Sequence, residues 1–451
     1  MSKIVDAVTA VLCHEGELFI AERALHMLAF PGFYAFPGGK VDKGESEEPY
    51  AHPVFAAHPP RLMRALVREL REELNYDLEA AAVRGEVERI EALGIALTPP
   101  QAPIRFNTHF YRVALNTRPS VELDLNETSR YEWAGADALL KRYEQGALLL
   151  APPTFATLTA LAADHESTVI PGLDINQRDD AEMPMTEALR GVRMIFVRSH
   201  TLPPATHTNA FLLGDLNTHR ILVDPSPADR AELERLKALC QRLVINEVFL
   251  THHHPDHRQY ADEIARHFNV PLGLSQDTYD RIKAKSGMKF FEGLEINTYR
   301  EGDVVCRWLG EPVRVLEVPG HDEGQLALMP DSRAWCIVGD LIQGIGTVVI
   351  AKPEGNMRKY LASMRKIIAL NPSVIFPSHG LGLGGVHRLE ETVKHRLARE
   401  EQIKTHLAAG VSPDDMLPLI YADIDPRLLP LARMNIESHL DKLREDGVIA
   451  T

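Results

Sequence analysis

The stretch that decides the fold is residues 244–257, Val-Ile-Asn-Glu-Val-Phe-Leu-Thr-His-His-His-Pro-Asp-His. Its first half is typical of a buried strand. His252 and His254 lie two residues apart, so an extended backbone points both side chains the same way. Asp256 and His257 follow where the chain leaves the strand. Imidazoles and carboxylates are good zinc ligands, so the stretch predicts a metal site, although a histidine-rich turn would explain it equally well.

Three further apolar runs each end just before one residue of a metal-binding type. The runs 313–318, 335–339 and 374–376 lead to His321, Asp340 and His379. Layered α/β domains bind ligands at the carboxyl ends of their strands. Four such coincidences are improbable as packing, so the pattern predicts one functional metal site built at four strand ends.

These residues resemble the metallo-β-lactamase superfamily through HxHxDH at 252–257, Gly-His at 320–321, Gly-Asp at 339–340 and Ser-His at 378–379. The resemblance implies an αββα sandwich and a site for two Zn²⁺ ions, or Fe or Mn. By this resemblance one ion takes His252, His254 and His321, the other takes Asp256, His257 and His379, and Asp340 bridges. It also implies a hydrolase in which a metal-bound hydroxide attacks a small ester, thioester or phosphoester, with Asp256 orienting the water.

Residues around the ligands refine this interpretation. Asp224 matches the superfamily's aspartate that orients ligating histidines, and Thr251 is assigned the same supporting role. A solvated aspartate at the end of a strand is the alternative for Asp224. His253 is interpreted as a packing residue. Because His257 and Asp340 are both present, the chain resembles the glyoxalase-II, thioesterase and nuclease branches rather than true β-lactamases.

A second motif lies near the N-terminus. Residues 39–45, Gly-Lys-Val-Asp-Lys-Gly-Glu, and 68–73, Arg-Glu-Leu-Arg-Glu-Glu, resemble the two halves of a Nudix box. On a helix Glu69, Glu72 and Glu73 share one face. Three clustered carboxylates favour Mg²⁺ or Mn²⁺ bound to a substrate diphosphate, so these residues are candidate metal ligands and catalytic groups. A solvated acidic helix face is the alternative.

The Nudix resemblance assigns supporting roles as well. Arg68 is expected to pair with Glu45, and Gly38 and Gly39 are expected to contact substrate. The two halves of the box are separated by 22 residues, more than the family pattern has, and the insert Ser46–Pro60 is predicted to be a loop. Such an insert resembles coenzyme A diphosphatase-type Nudix proteins, which implies a nucleotide or coenzyme A derivative as substrate. A ligand-sensing domain without catalysis is the alternative.

The C-terminal segment, residues 386–451, has an almost wholly helical pattern. It resembles the winged-helix domain of the β-lactamase-like-protein-2 family, whose animal members are described as single-strand-specific endoribonucleases. A winged helix is compatible with RNA binding. The segment has nine Lys and Arg against twelve Asp and Glu, however, which favours dimerisation or a roof over the active site.

The fold class predicted for the whole chain is an α/β and α+β multidomain protein. We expect a Nudix α/β/α sandwich at 1–165, a linker at 166–189, the metallo-β-lactamase sandwich at 190–385 and the winged helix at 386–451. The net charge of −14 opposes strong non-specific nucleic-acid binding. Four scattered cysteines and the lack of a long apolar run predict a cytoplasmic protein with reduced thiols and no membrane contact. A small molecule is the expected partner; RNA and a homodimer remain alternatives.

Overall fold

The computed structural model describes residues 4–98, 105–173, 183–422 and 425–449. The chain divides into two compact units, Met1–Glu182 with Thr186–Arg190, and Met183–Met185 with Gly191–Thr451. The predicted winged-helix segment is therefore not a separate unit, because its helices pack on the helix Met357–Leu370 of the second unit. Among the described residues, no helix combines the length and apolarity needed to cross a membrane.

The first unit is built around one sheet. Its strands are ordered β3-β2-β1-β6-β5, with β4 beside β1 and β7 beside β2, and β1 runs parallel to β6. The elements of this unit are β1 (Ile4–His14), β2 (Glu17–Arg23), β3 (Tyr34–Ala35), β4 (Gly38–Lys40), α1 (Pro53–Ala56), α2 (Pro60–Leu74), α3 (Leu78–Val83), β5 (Val87–Leu97), β6 (Arg105–Leu115), β7 (Thr128–Gly135), α4 (Ala136–Glu144) and α5 (Pro152–Ala163).

Helix α2 carries the second half of the predicted Nudix box and packs on this sheet. Leu62, Leu66 and Leu70 recur every four residues and are buried in the core, as expected of an amphipathic helix. The helix begins at a proline and ends before Asn75, whose left-handed backbone (φ 52°) terminates it. Together these features place Glu69 and Glu73 on the buried side of the helix.

The insert predicted as a loop contains a short helix instead. Helix α1 lies within Ser46–Pro60, and its Phe55 is buried and packs against the ring of Tyr50 at 4.7 Å between centroids. The sequence could not show this helix, because four residues are too few to display a helical period. Phe55, with the partly buried Tyr50 and Val54, therefore anchors the insert to a core of the first unit.

The chain from Met185 onwards forms two further sheets. Its elements are β8 (Met185–Leu189), β9 (Val192–Arg198), β10 (His207–Leu213), β11 (Ile221–Val223), α6 (Arg230–Gln241), β12 (Glu247–Phe249), α7 (Pro255–Arg258), α8 (Ala261–Phe268), β13 (Leu272–Leu274), α9 (Gln276–Ser286), β14 (Ile296–Thr298), β15 (Val304–Trp308), β16 (Glu311–Glu317), β17 (Leu326–Pro330), β18 (Cys336–Ile337), α10 (Met357–Leu370), β19 (Val374–Phe376), β20 (Leu383–Gly384), α11 (His387–Ala408), α12 (Pro413–Ile420) and α13 (Leu429–Glu445).

The two sheets form the centre of a four-layer sandwich. One has the order β14-β13-β12-β11-β10-β9-β8 and the other β15-β16-β17-β18-β19-β20. Phe211 of the first contacts Phe376 of the second at 6.0 Å between ring centroids. Helices α6, α8 and α9 bury their apolar faces on the first sheet, and α10 and α11 on the second. The predicted αββα arrangement is confirmed, although Met185–Leu189, predicted as linker, forms a strand.

The ligand candidates lie where the sequence predicts, just beyond strand ends. Strand β12 ends at Phe249 before the histidine cluster, and β16, β18 and β19 end shortly before the other three candidates. The last three helices form a small core of their own around Ile403, Met416 and Leu440. Within 386–422 and 425–449 the structure has helices and no strand, as the helical pattern predicts.

Candidate metal centre

Three histidine nitrogens converge at one point of the second unit. His254 Nδ1 lies 3.0 Å from His252 Nε2 and 2.9 Å from His321 Nε2. Nitrogens this close repel one another if more than one bears a proton, whereas a cation among them would be bound by their lone pairs. This triad is the ligand set that the sequence assigns to the first metal ion.

The second ligand set lies beside the first. Asp256 Oδ2 is 3.6 Å from His379 Nε2 and 3.9 Å from His257 Nε2. Asp340 lies between the sets, with Oδ1 at 3.4 Å from His379 Nε2 and Oδ2 at 3.7 Å from His321 Nε2. Each oxygen of Asp340 therefore faces a different set, which is the position of a bridging carboxylate.

The far nitrogen of each ligand histidine has a hydrogen-bond partner, which orients its ring. His321 Nδ1 lies 2.9 Å from the carbonyl oxygen of Val349, and His379 Nδ1 lies 2.9 Å from that of His207. Because a carbonyl only accepts, each Nδ1 must bear the proton and each Nε2 must present its lone pair inwards. The backbone thereby fixes the tautomer that a metal ion needs.

Asp224 supports two of the other ligands. Its carboxylate accepts from Thr251 N at 2.8 Å and from Thr251 Oγ1 at 2.6 Å, and it lies 2.9 Å from His257 Nδ1. Since the Thr251 hydroxyl donates to Asp224, its lone pairs can accept from His252 Nδ1, 3.0 Å away. The structure therefore brings both predicted supporting residues to the site, and Asp224 is buried rather than solvated.

Burial and charge divide the histidines into two classes. Burial lowers the pKa of His252 well below its usual range and lowers the pKa of His321 to about 4, and neighbouring imidazoles add to both effects. Burial also acts to lower the pKa of His257, but carboxylates led by Asp340 outweigh it and hold this pKa well above its usual range. His252 and His321 are therefore neutral at pH 7, whereas a metal ion at His257 would displace a proton.

Among the described residues, two inward-facing atoms of the centre are buried without a hydrogen-bond partner, namely His257 Nε2 and Asp340 Oδ1, which lie 3.7 Å from each other. Buried polar atoms without partners are costly, and here they point to a missing ligand. The nitrogen and carboxylate donors of this centre suit Zn²⁺, and Fe or Mn also accept such a mixed set. The residues therefore fit the two ions that the resemblance implies.

Gly320 allows His321 to reach the centre. A Cβ atom at position 320 would lie 2.2 Å from the backbone nitrogen and Cα of Tyr360, and the φ of +138° is itself unfavourable for other residues. The loop after β16 thus packs directly on helix α10, and only glycine permits that approach.

The structure corrects the interpretation of His253 as a packing residue. His253 is fully buried, but its Nδ1 lies 2.5 Å from Asp322 Oδ2 and its Nε2 lies 2.9 Å from Lys285 Nζ. Glu354 lies beside it and contacts His254. Sequence analysis missed Lys285, Asp322 and Glu354, because they come from separate loops and helices and carry no motif.

In the first unit, Arg68 holds the two halves of the Nudix-like motif together. Its guanidinium donates to Glu45 at 2.9 Å, as expected, to the carbonyl oxygen of Lys40 at 2.7 Å, and to Glu69 and Glu72 at 2.8 and 2.9 Å. The side chain of Glu72 is 60% exposed. Within the described ranges, Glu69, Glu72 and Glu73 do not form a group whose ligand atoms all lie within 4.8 Å of one another.

The two buried carboxylates of this motif face the glycine loop. Gly38 N donates to Glu73 Oε2 at 3.2 Å, and a Cβ atom on Gly39 would lie 2.4 Å from the carboxylate of Glu69. Burial, together with the charges of Glu69 and Glu127, raises the pKa of Glu73 to about 8. Both glycines thus admit carboxylates to the loop, and their predicted contact with substrate stays a prediction.

Comparison with known proteins identifies two domains. Residues 203–379 match the family model described as Metallo-beta-lactamase superfamily, and residues 412–451 match that of the Beta-lactamase associated winged helix domain. The chain therefore carries a metallo-β-lactamase superfamily domain followed by a winged-helix domain. Members of this superfamily are hydrolases.

Individual relatives each match part of the chain. A Drosophila melanogaster protein named Beta-lactamase-like protein 2 homolog is 27% identical over 53% of this chain and 83% of its own length. A hydroxyacylglutathione hydrolase of Aeromonas hydrophila is 30% identical over 39% of this chain and 63% of its own length. A crystal structure of a beta-lactamase domain protein from Burkholderia ambifaria shares the fold, with a TM-score of 0.51, 24% identity, and coverage of 60% of this chain and 91% of that one.

Proposed function

We propose that this chain is a two-metal hydrolase of a small ester, thioester or phosphoester. The observation that carries the proposal is the convergence of ligand atoms from four strand ends. Every imidazole of the set has a hydrogen-bond partner on its far nitrogen, whereas within the described residues His257 Nε2 and Asp340 Oδ1 face inwards without one. When bound, two ions would lower the pKa of a coordinated water towards about 7 and stabilise negative charge on the reacting oxygen.

The protein's own contribution begins at Asp256. Its side chain is 19% exposed, whereas those of His257 and His379 are fully buried. Solvent water therefore reaches this carboxylate directly. Because an ionised carboxylate only accepts hydrogen bonds, Asp256 would orient a water by its O–H group and receive its proton as the water attacks.

The open side of the centre is where a substrate would enter. His254 and His321 are partly exposed, and Asp256 completes this accessible rim. The ligands behind the rim are buried, so the reacting carbonyl or phosphoryl group would approach the centre from one side. The relative named for hydrolysis of an acylglutathione supports an acyl substrate as the lead.

We also propose a second hydrolytic activity in the first unit, the cleavage of a diphosphate in a nucleotide or coenzyme A derivative. The specific observation is that Arg68 connects Glu45 to Glu69 and Glu72 while Glu73 is buried nearby. Hard carboxylate oxygens suit Mg²⁺ or Mn²⁺, which would relieve the crowding of negative charge. Glu72 would have to leave Arg68 to join such an ion.

Metal analysis tests the first proposal. Protein expressed with zinc should contain about two ions per chain, and His252→Ala should lose at least one of them together with hydrolysis. His267→Ala removes an exposed histidine of helix α8 that is not a proposed ligand and is the matched control. Fewer than one ion in the wild type, or full hydrolysis by His252→Ala, would overturn the proposal.

A parallel assay separates the substrates. Acyl-thioesters, single-stranded RNA and nucleoside diphosphate derivatives are offered to the wild type, His252→Ala and Glu72→Gln. We expect thioester hydrolysis to be lost only in His252→Ala and diphosphate cleavage only in Glu72→Gln. RNA cleavage lost in His252→Ala would replace the acyl substrate with RNA. Absence of any diphosphate cleavage by the wild type would favour a ligand-sensing role for the first unit.

A further inference from the structure

The side chains beside the first histidine triad form a continuous polar chain that ends on a proposed metal ligand. It starts at the fully buried Asp322, whose Oδ2 lies 2.5 Å from His253 Nδ1. His253 Nε2 lies 2.9 Å from Lys285 Nζ, which donates to Glu354 Oε1 at 2.5 Å. Glu354 Oε2 lies 3.2 Å from His254 Nε2, the nitrogen that faces away from the triad.

An ionised carboxylate only accepts hydrogen bonds, which fixes the direction of the contact between Glu354 and His254. His253 Nε2 lies 2.9 Å from Lys285 Nζ and 3.2 Å from Glu354 Oε1, and His253 Nδ1 lies beside the Asp322 carboxylate. Glu354 accepts from Lys285 through Oε1, which leaves Oε2 to accept from His254 Nε2–H. The proton of His254 is thereby held on Nε2, and its Nδ1 must present a lone pair.

That lone pair points at the centre already described. His254 Nδ1 lies 3.0 Å from His252 Nε2 and 2.9 Å from His321 Nε2. If the proton moved to Nδ1, the ligand atom would be lost and a donor would face the metal position. A carboxylate on the far nitrogen prevents this change and makes the imidazole a better electron donor.

The four groups His253, His254, Asp322 and Glu354 also come close enough to hold a cation by themselves. Lys285 lies within this group, in contact with both His253 and Glu354, and it supplies the positive charge. The Lys285 ammonium offsets one of the two carboxylates, so we interpret the cluster as a support for the wall of the site and not as a third metal site.

We infer that Glu354, held by Lys285 and His253, is a positioning residue that fixes the metal-binding tautomer of His254. The inference rests on the proposed two-metal site and adds a residue that no motif contains. It assigns Glu354 to the first metal position only, because its hydrogen bond goes to His254 and not to the ligands of the second set.

The test measures metal affinity and not activity alone. Zinc binding is followed by competition with a chromophoric chelator, and the Co²⁺-substituted protein gives the electronic spectrum of the first position. Glu354→Ala should weaken one of the two zinc-binding steps by about 10- to 100-fold and leave the other unchanged. The Co²⁺ bands of one ion should shift.

Two variants complete the design. Glu354→Gln keeps the side-chain volume and an acceptor oxygen but loses the charge that holds Lys285, so it should recover part of the lost affinity. If the alanine variant fails to fold, the glutamine variant must still show weaker binding and a shifted spectrum. Glu301→Ala, which removes an exposed glutamate paired with Lys366, is the matched control and should bind both ions normally.

The possible results distinguish the role of Glu354 from the two-metal site on which it rests. A wild type that binds fewer than one ion overturns the two-metal site, and the role of Glu354 fails with it. A wild type that binds two ions, with Glu354→Ala matching its affinity and Co²⁺ spectrum, overturns the positioning role alone.

Discussion

Asp224 Oδ2 lies 2.9 Å from Nδ1 of His257, and both residues are fully buried. The aspartate has a left-handed backbone with a φ of 47°, which turns the chain directly after β11. Among non-glycine residues, only Asp and Asn adopt this conformation readily. The position thus needs a residue that combines this backbone with an acceptor for three hydrogen bonds.

Asp224→Asn should weaken metal binding at the second ligand set by about 10- to 100-fold. Asparagine tolerates the same backbone, so the variant isolates the loss of one acceptor oxygen and of the negative charge. Metal content after dialysis against a chelator series measures the effect. Asp331→Asn, at an exposed aspartate paired with Arg314, is the control. Normal retention of both ions by Asp224→Asn would refute the supporting role.

Gly320→Ala should destabilise the second unit by about 3 kcal/mol or more, because the added methyl group would overlap the backbone of Tyr360. His321 should then be displaced and one metal ion lost. Urea denaturation and metal analysis give the two readouts. Gly302→Ala, at a φ of +88° with nothing near its Cβ position, is the matched control for backbone strain and should cost only about 1 kcal/mol. Equal costs for the two variants would contradict the overlap.

The stability of the first unit should fall as pH rises in the presence of a chelator. The folded pKa of Glu73 is about 8 against an ordinary value of 4.5. Between these values the unfolded chain has released the proton that the folded chain still holds, so the free energy of unfolding decreases with pH. Below about pH 4.5 both states are protonated and the dependence disappears.

Glu73→Gln should therefore melt at least about 3 °C above the wild type at pH 8.5 without divalent metal, and at the same temperature at pH 4. Glutamine can keep the hydrogen bond from Gly38 without the charge. Added Mg²⁺ should stabilise the wild type but not the variant. Glu48→Gln changes an exposed glutamate and should follow the wild type. A pH-independent difference between Glu73→Gln and wild type would disprove the raised pKa.

Arg68→Lys should destabilise the first unit by about 1–3 kcal/mol, since one ammonium cannot replace a fork that reaches Lys40, Glu45 and two further carboxylates. Limited proteolysis should cleave the 41–52 segment faster in this variant. Arg84→Lys alters an exposed arginine paired with Glu86 and should change stability by less than about 0.5 kcal/mol. Unchanged proteolysis of Arg68→Lys would show that the pair does not hold the loop.

Much of the second unit could be predicted because its signals are local. A strand followed at once by ligand candidates is a pattern of only a few consecutive residues. The helical pattern predicted for 386–451 is found in the long helix His387–Ala408. The strand Met185–Leu189 was missed because it is short and follows a stretch rich in Asp, Asn and Pro. In the first unit helix α1 was missed because it too is short. It is stabilised by Phe55, which packs against residues that are distant in the sequence.

The sequence by itself determined which residues can bind metal, since residue type and position after a strand decide donor chemistry and direction. It also indicated the four layers, because the spacing of apolar residues along a short segment distinguishes a strand from a helix. The tertiary structure alone decided how those donors are protonated. Asp224, Val349 and Glu354 lie far from their histidines along the chain, and only folding brings each acceptor to the nitrogen it holds. The histidine cluster at 252–257 is thus a set of candidate ligands by sequence, and only its neighbours in space orient the ring nitrogens.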